Sequence, residues 1–143
     1  MINWNIDPKR REIVKHPAKR KVLVAGRRFG KSHLSLMWLL QKKIQAGERR
    51  WIVTPTYRQG KATTWKLMRQ IFRDYDCQIN ESELLVRLPN DAEIAIKGAE
   101  QENNLRGAGL DMVVMEEYSY IKPHVWDEII YPTLTTTDGS AFF

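Results

Sequence analysis

The chain holds one cysteine, Cys77, in 143 residues. An internal disulfide is therefore excluded, and a reducing cytosol suits the sequence. No histidine stands near Cys77, so it reads as a small buried or half-buried residue and not as a nucleophile. Long apolar runs are also missing. The longest, Leu34 to Leu40 with Ser35 inside it, is far too short to cross a bilayer, which argues against a membrane partner. Met1-Ile2-Asn3-Trp4 lacks a basic region leading into an apolar core, so no signal peptide is expected. No basic stripe is interleaved with aromatics in the way that stacks bases. No repeat, low-complexity tract or linker divides the chain, and its length supports one domain with a sizeable core.

Acidic residues are scarce in the first third. Residues 1–50 carry 14 Lys and Arg against 3 Asp and Glu, and the remainder carries 9 against 14, for a net charge of +6. A basic half suits phosphate, whether of a nucleotide or of a nucleic acid. A solvated basic surface around a nucleotide site accounts for it as well as direct DNA contact does.

What is present is organised around Lys21-Val-Leu-Val-Ala-Gly-Arg-Arg-Phe-Gly-Lys-Ser32. It predicts a short buried strand, Val22 to Ala25, then a tight basic loop, then a helix from about Lys31 to Ala46 stopped by Gly47. Gly26, Arg27, Arg28, Phe29 and Gly30 form the loop. Gly30-Lys31-Ser32 closes a phosphate-binding P-loop (Walker A). Glycines let the backbone turn its N–H groups toward phosphate oxygens, and the helix adds the positive end of its dipole. Lys31 then reaches the β- and γ-phosphates of ATP, and the Ser32 hydroxyl ligates Mg²⁺. Ala25 stands where the common form has its first glycine, and Gly26 follows one residue late.

The rest alternates in α/β fashion. Asp7-Pro8 predicts a capped basic helix to about His16. Trp4 is expected to cover the sheet edge, with stacking on a purine as the alternative. A second strand is expected at Trp51–Thr54, a polar loop at Thr56–Gly60 and a helix at about Ala62–Tyr75. Leu84–Leu88 and Ala92–Lys97, around Pro89-Asn90-Asp91, predict a β-hairpin that extends the sheet. Asp111–Met115 predicts a buried strand, followed by a helix from Lys122 to about Pro132, a loop over Thr133–Ser140 and a last strand at Ala141–Phe143. Strand and helix spacing points to parallel pairing with right-handed crossovers.

The strand Asp111–Met115 runs straight into Glu116-Glu117, the Walker B arrangement. An apolar strand at the centre of the sheet puts its terminal carboxylates beside the phosphate loop. Glu116 would hold the Mg²⁺ shell, and Glu117 would orient and deprotonate the attacking water. Aspartate is usual at the first position, and Glu116 is one methylene longer. Arg27 or Arg28 would sense the nucleotide in cis, with an exposed loop arginine as the alternative for each.

These residues resemble the large terminase subunits of tailed bacteriophages, the motors that package DNA. The carriers are Val24 to Ser32, Thr54-Pro-Thr56, the hairpin ending in Lys97-Gly98, and Leu105-Arg-Gly107 leading into Asp111 to Glu117. They cover nearly the whole chain. The resemblance implies a P-loop NTPase fold: a three-layer α/β sandwich with a mostly parallel sheet and an added hairpin. It implies an ATPase that assembles as a homo-oligomeric ring on a portal protein, works with a small terminase subunit in the host cytoplasm and drives double-stranded DNA into a capsid. It implies Glu117 as catalytic carboxylate, Arg106 as an arginine finger acting in trans, and Arg27 or Arg28 as the arginine of the phosphate loop. The family's adenine-contacting glutamine has no counterpart, since Lys9, Arg10 and Arg11 stand in that region. In the family a coupling motif and a nuclease domain follow, so residues 1–143 are expected to be a truncated ATPase domain without the nuclease. Another P-loop translocase or helicase, and a nucleotide-binding module without turnover, stay open as alternatives.

Overall fold

The computed structural model describes residues 5–107 and 109–143. Trp4 lies outside the described residues. In chain order the elements are α1 (Pro8–Lys15), β1 (Arg20–Lys21), α2 (Lys31–Leu40), β2 (Arg49–Thr54), α3 (Tyr57–Ala62), α4 (Thr64–Phe72), β3 (Gln78–Asn80), β4 (Leu85–Arg87) and β5 (Glu93–Gly98). A 3-10 turn (Glu102–Leu105), β6 (Met112–Met115), a second 3-10 turn (Tyr118–Tyr120), a π-helical segment (Val125–Ile130), α5 (Tyr131–Thr135) and β7 (Ser140–Phe142) complete the chain.

The strands make one sheet in the order β1-β7-β6-β2-β5-β4-β3. β1, β7, β6, β2 and β5 run parallel, while β4 pairs antiparallel with β5 and β3 antiparallel with β4. The expected hairpin is therefore β4–β5, lengthened by β3. β5 has a second role, because its other edge pairs with β2 from Arg49↔Glu93 to Thr54↔Gly98.

Side-chain alternation sorts the core into two layers. Ile52, Ile94, Ile96, Met112 and Val114 face α1, α2 and α4. Trp51, Val53, Ala95, Val113 and Met115 face the π-helical segment and α5. Helices thus cover both faces, which explains why β6 is buried at all four positions. α2 is buried at every residue from Leu34 to Leu40, as a helix packed on several sides must be.

Several local expectations are corrected. Strand pairing covers only Arg20–Lys21, and Val22 and Val24 are 74% and 93% exposed where a buried strand was expected. The backbone does continue beside β7, with the Leu23 N–H donating to the Phe143 carbonyl at 2.8 Å. However, β1 is an edge, so only Leu23 turns into the core. α2 stops at Leu40, short of Ala46 and well before Gly47. The buried guanidinium of Arg50 donates to the carbonyls of Leu39, Lys42 and Lys43, which satisfies the helix end. Ile44 still packs on the core from a non-helical segment.

The polar loop at Thr56–Gly60 is instead most of α3, capped by Thr56, whose hydroxyl accepts from the Gln59 N–H at 3.1 Å. Gly60 lets α3 lie close on the sheet, because a Cβ there would fall 2.5 Å from Ile96 Cγ2. The expected single helix Ala62–Tyr75 is broken at Thr63 (φ −117°, ψ −82°) and ends at Phe72. Pro132 does not end its helix. The chain passes through it into α5, because the wider π turn before it, closed by Tyr131 N–H to the Trp126 carbonyl, precedes a proline in the first turn of α5.

Candidate functional site

The carboxyl ends of β1, β6 and β7 meet at one rim of the sheet. There Val22 to Ala25, Lys31, Ser32, Ser35, Val114 to Ser119, Phe142 and Phe143 enclose a cavity of about 320 Å³. Parallel α/β sheets offer ligand crevices at this end. Lys31 and Ser32 on one wall and Glu116 and Glu117 on the other thus line a single cleft.

The loop wall takes its shape from two left-handed residues. Gly30 has φ +83° and caps α2, and Arg28 has φ +64°. Glycine adopts this conformation freely, whereas arginine does so at a cost of about 1–2 kcal/mol. Gly26 has no such requirement. The Lys31 Nζ donates to the Ala25 carbonyl at 3.2 Å and so arches across the loop it follows. Arg10 of α1 fastens the loop from outside. Its Nη2 donates to the Phe29 carbonyl at 2.9 Å, and its guanidinium lies 5.2 Å from the Phe29 ring centroid. Arg27 and Arg28 are exposed and do not line the cleft.

The acidic wall is held by the sheet. Glu116 N–H donates to the Val53 carbonyl at 2.8 Å, continuing the β6–β2 ladder one residue beyond Met115. Alternation then sends the Glu116 side chain toward the α2 and α4 face. Its Oε2 accepts from the Thr64 hydroxyl at 2.6 Å, while Oε1 is buried without a hydrogen-bond partner among the described residues. An orphaned buried oxygen costs about 1–3 kcal/mol, more when charged. Glu117 adopts φ +52° and ψ +47° and starts the turn Tyr118–Tyr120. A non-glycine residue in this region is strained, and such strain persists where the surroundings fix it.

Among the described residues no group of three His, Cys, Asp or Glu could hold a metal ion by itself. A magnesium ion asks for less, since it takes one or two protein oxygens and completes its shell with water and phosphate. The Ser32 hydroxyl and the unpaired Glu116 oxygen, both hard donors on residues that line the same cleft, fit that demand.

Arg106 stands apart. It follows the turn Glu102–Leu105, is half exposed, and lies 4.0 Å from Glu102, which also bonds His124 at 2.6 Å. It is not part of the cleft lining. Cys77 is half-buried, donates weakly to the Phe72 carbonyl at 3.6 Å, and has its thiol pKa raised by burial and by the charge of Asp76. Among the described residues no helix is long and apolar enough to cross a membrane. The residues missed from sequence are Arg10, Thr64 and the strained backbone at positions 28 and 117. Only Arg10 gave any signal, as part of the basic helix.

Comparison with known proteins identifies the family and the fold. A family model described as "Terminase large subunit, T4likevirus-type, N-terminal" matches residues 22–124. The large terminase subunits of Thermus phage G20c and Thermus virus P23-45 are each 31% identical over an alignment that covers 90% of this chain. The chain spans about a third, 31%, of the length of those relatives. The large terminase ATPase domain of Thermus phage P74-26 superposes with a TM-score of 0.74 at 28% identity, covering 93% of this chain and 61% of that one. The large terminase of a further thermophilic bacteriophage, solved in complex with ATP-gamma-S, shares the fold at 13% identity and a TM-score of 0.68, covering 95% of this chain and 36% of that one. The fold is that of the P-loop NTPases, and the chain belongs to the terminase large-subunit family, to whose N-terminal part it corresponds.

Proposed function

We propose that this chain hydrolyses ATP in the cleft between the phosphate loop and the acidic pair, and that hydrolysis drives double-stranded DNA into a phage capsid. The observation that carries this reading is the meeting of Lys31 and Ser32 with Glu116 and Glu117 in one cavity. The 28% identity to a domain named as a large terminase ATPase domain supports it.

In this reading the amides of Gly26 to Ser32 and the start of α2 receive the phosphates. Lys31 exchanges the Ala25 carbonyl for β- and γ-phosphate oxygens. Ser32 and Glu116 would hold Mg²⁺, which when bound would supply positive charge against the charge that develops during phosphoryl transfer. Glu117 orients a water in line with the γ-phosphorus and takes its proton as the new P–O bond forms and the bond to ADP breaks. Arg27 or Arg28 senses the nucleotide in cis. Arg106, exposed and outside its own cleft, acts on the γ-phosphate of a neighbouring subunit in a homo-oligomeric ring. The motor works in the host cytoplasm with a portal protein and a small terminase subunit, and the 143 residues belong to its ATPase domain.

The test separates binding from turnover. Glu117→Gln is expected to lower ATP hydrolysis by about 10²–10⁴-fold while nucleotide binding survives. Lys31→Ala is expected to lose binding itself. Hydrolysis unaffected by Glu117→Gln removes Glu117 from the mechanism, and unchanged affinity in Lys31→Ala undoes the phosphate-loop assignment.

A further inference from the structure

The two oxygens of the Glu116 carboxylate are in different situations. Oε2 accepts from the Thr64 hydroxyl at 2.6 Å, and Oε1 is buried with no hydrogen-bond partner among the described residues. Thr64 is itself fully buried, at 0% exposure. It opens α4 immediately after the break at Thr63, so the helix start carries its hydroxyl to the acidic rim. A hydroxyl has one proton to donate, and buried there it has no water to give it to. Glutamate has one more side-chain torsion than aspartate, and a fixed bond to one oxygen removes that freedom.

We propose that Thr64 is a positioning residue: it grips Oε2 so that Oε1 is the oxygen held ready for the magnesium ion of ATP. The proposal rests on the reading of Glu116 as a magnesium-holding residue. It accounts for both observations together. A brace on one side of a carboxylate is useful where the other side has a cation to meet, and Oε1 is the buried oxygen left without a partner among the described residues. A hydrogen bond serving only to join α4 to the sheet would not call for an unpaired partner atom.

The test measures the Mg²⁺ concentration at half-saturation for binding of a fluorescent ATP analogue, with a parallel titration in EDTA for metal-free affinity. Thr64→Val keeps the shape and removes the donor, and is expected to raise the Mg²⁺ requirement by about 10-fold or more, as loss of a ligand's supporting bond does. Thr64→Ser keeps the donor and is expected to stay near wild type. Metal-free affinity is expected to be unchanged in both. A wild-type Mg²⁺ requirement in Thr64→Val overturns the proposal, as does a parallel fall in metal-free affinity, which marks a purely structural bond. Thr64→Ala is read in the same way if the valine variant does not fold. Glu116→Gln separates the two layers of the argument. If it shifts the Mg²⁺ requirement and Thr64→Val does not, the proposal on Thr64 alone fails. If Glu116→Gln shifts nothing, the metal reading of Glu116 falls and the proposal with it.

Discussion

The acidic wall of the cleft stands on β6, whose four residues are all buried between β2 and β7, while the loop wall stands on β1, whose two-residue ladder meets β7 alone. One wall is therefore set by the core. The other is set by side chains that tie it to α1: Arg10 on the Phe29 carbonyl, and Lys21, whose Nζ donates to the Ile13 and Val14 carbonyls at 3.3 and 3.0 Å. Stability is not uniform across a fold, and elements with few buried contacts open at lower free energy. The difference teaches that the groups assigned to water activation sit on the rigid side, while residues 26–30 of the phosphate loop, ahead of the buried α2, sit on the side free to adjust.

The largest expected contrast is in stability. Met115→Ala, at a position 1% exposed, is expected to cost about 2–5 kcal/mol. Val24→Ala, at 93% exposure, is expected to stay within about 0.5 kcal/mol. Urea denaturation of the two variants checks this, and equal costs would break the comparison.

Cutting the tie to α1 comes next. Arg10→Ala is expected to weaken nucleotide binding by about 5-fold, the equivalent of one net hydrogen bond, and to leave the unfolding midpoint nearly unchanged. A fluorescent-nucleotide titration alongside urea melts would show it. A large loss of stability instead would mean that α1 supports the core and not the loop.

The smallest effects concern pH, and on both sides stability rises with pH, in an acid window on one and an alkaline window on the other. On the β2–β5 side burial disfavours the Glu93 carboxylate, but hydrogen bonds and charge from Arg87 and Arg49 outweigh it and hold its pKa below 4.5. The folded state then binds the proton less readily, so this contribution is present above about pH 4.5 and is lost as pH falls through the folded value. Glu93→Gln is expected to flatten the acid limb of the stability curve. On the loop side, burial and the charge of Lys42 lower the pKa of Lys21 below 10.5. The unfolded state now binds more protons, so stability rises with pH between the folded value and about 10.5, and Lys21→Met is expected to remove that rise. Chemical denaturation across pH checks both.

The sequence was most legible where a pattern is local. The loop Gly26 to Ser32 and the strand running into Glu116-Glu117 are continuous stretches, and the rim position of the acids follows from parallel pairing. What escaped depends on partners distant in sequence. Val22 and Val24 read as buried because they are apolar, yet exposure is decided by which strand lies beside β1. Tyr57 to Gly60 read as loop because of its polarity and glycine, although Thr56 supplies a cap and Gly60 a close approach to Ile96. Thr64 and Glu116 are 52 residues apart, and Arg10 and Phe29 are 19 apart, so neither contact leaves a mark on local spacing.

The most direct measurement follows amide hydrogen exchange with and without Mg²⁺ and ATP-gamma-S. The account predicts slower exchange both at residues 26–34 and at residues 116–119, with the greater change on the loop side because it starts less protected. Slowing confined to residues 26–34, with 116–119 untouched by the nucleotide, would contradict a shared site.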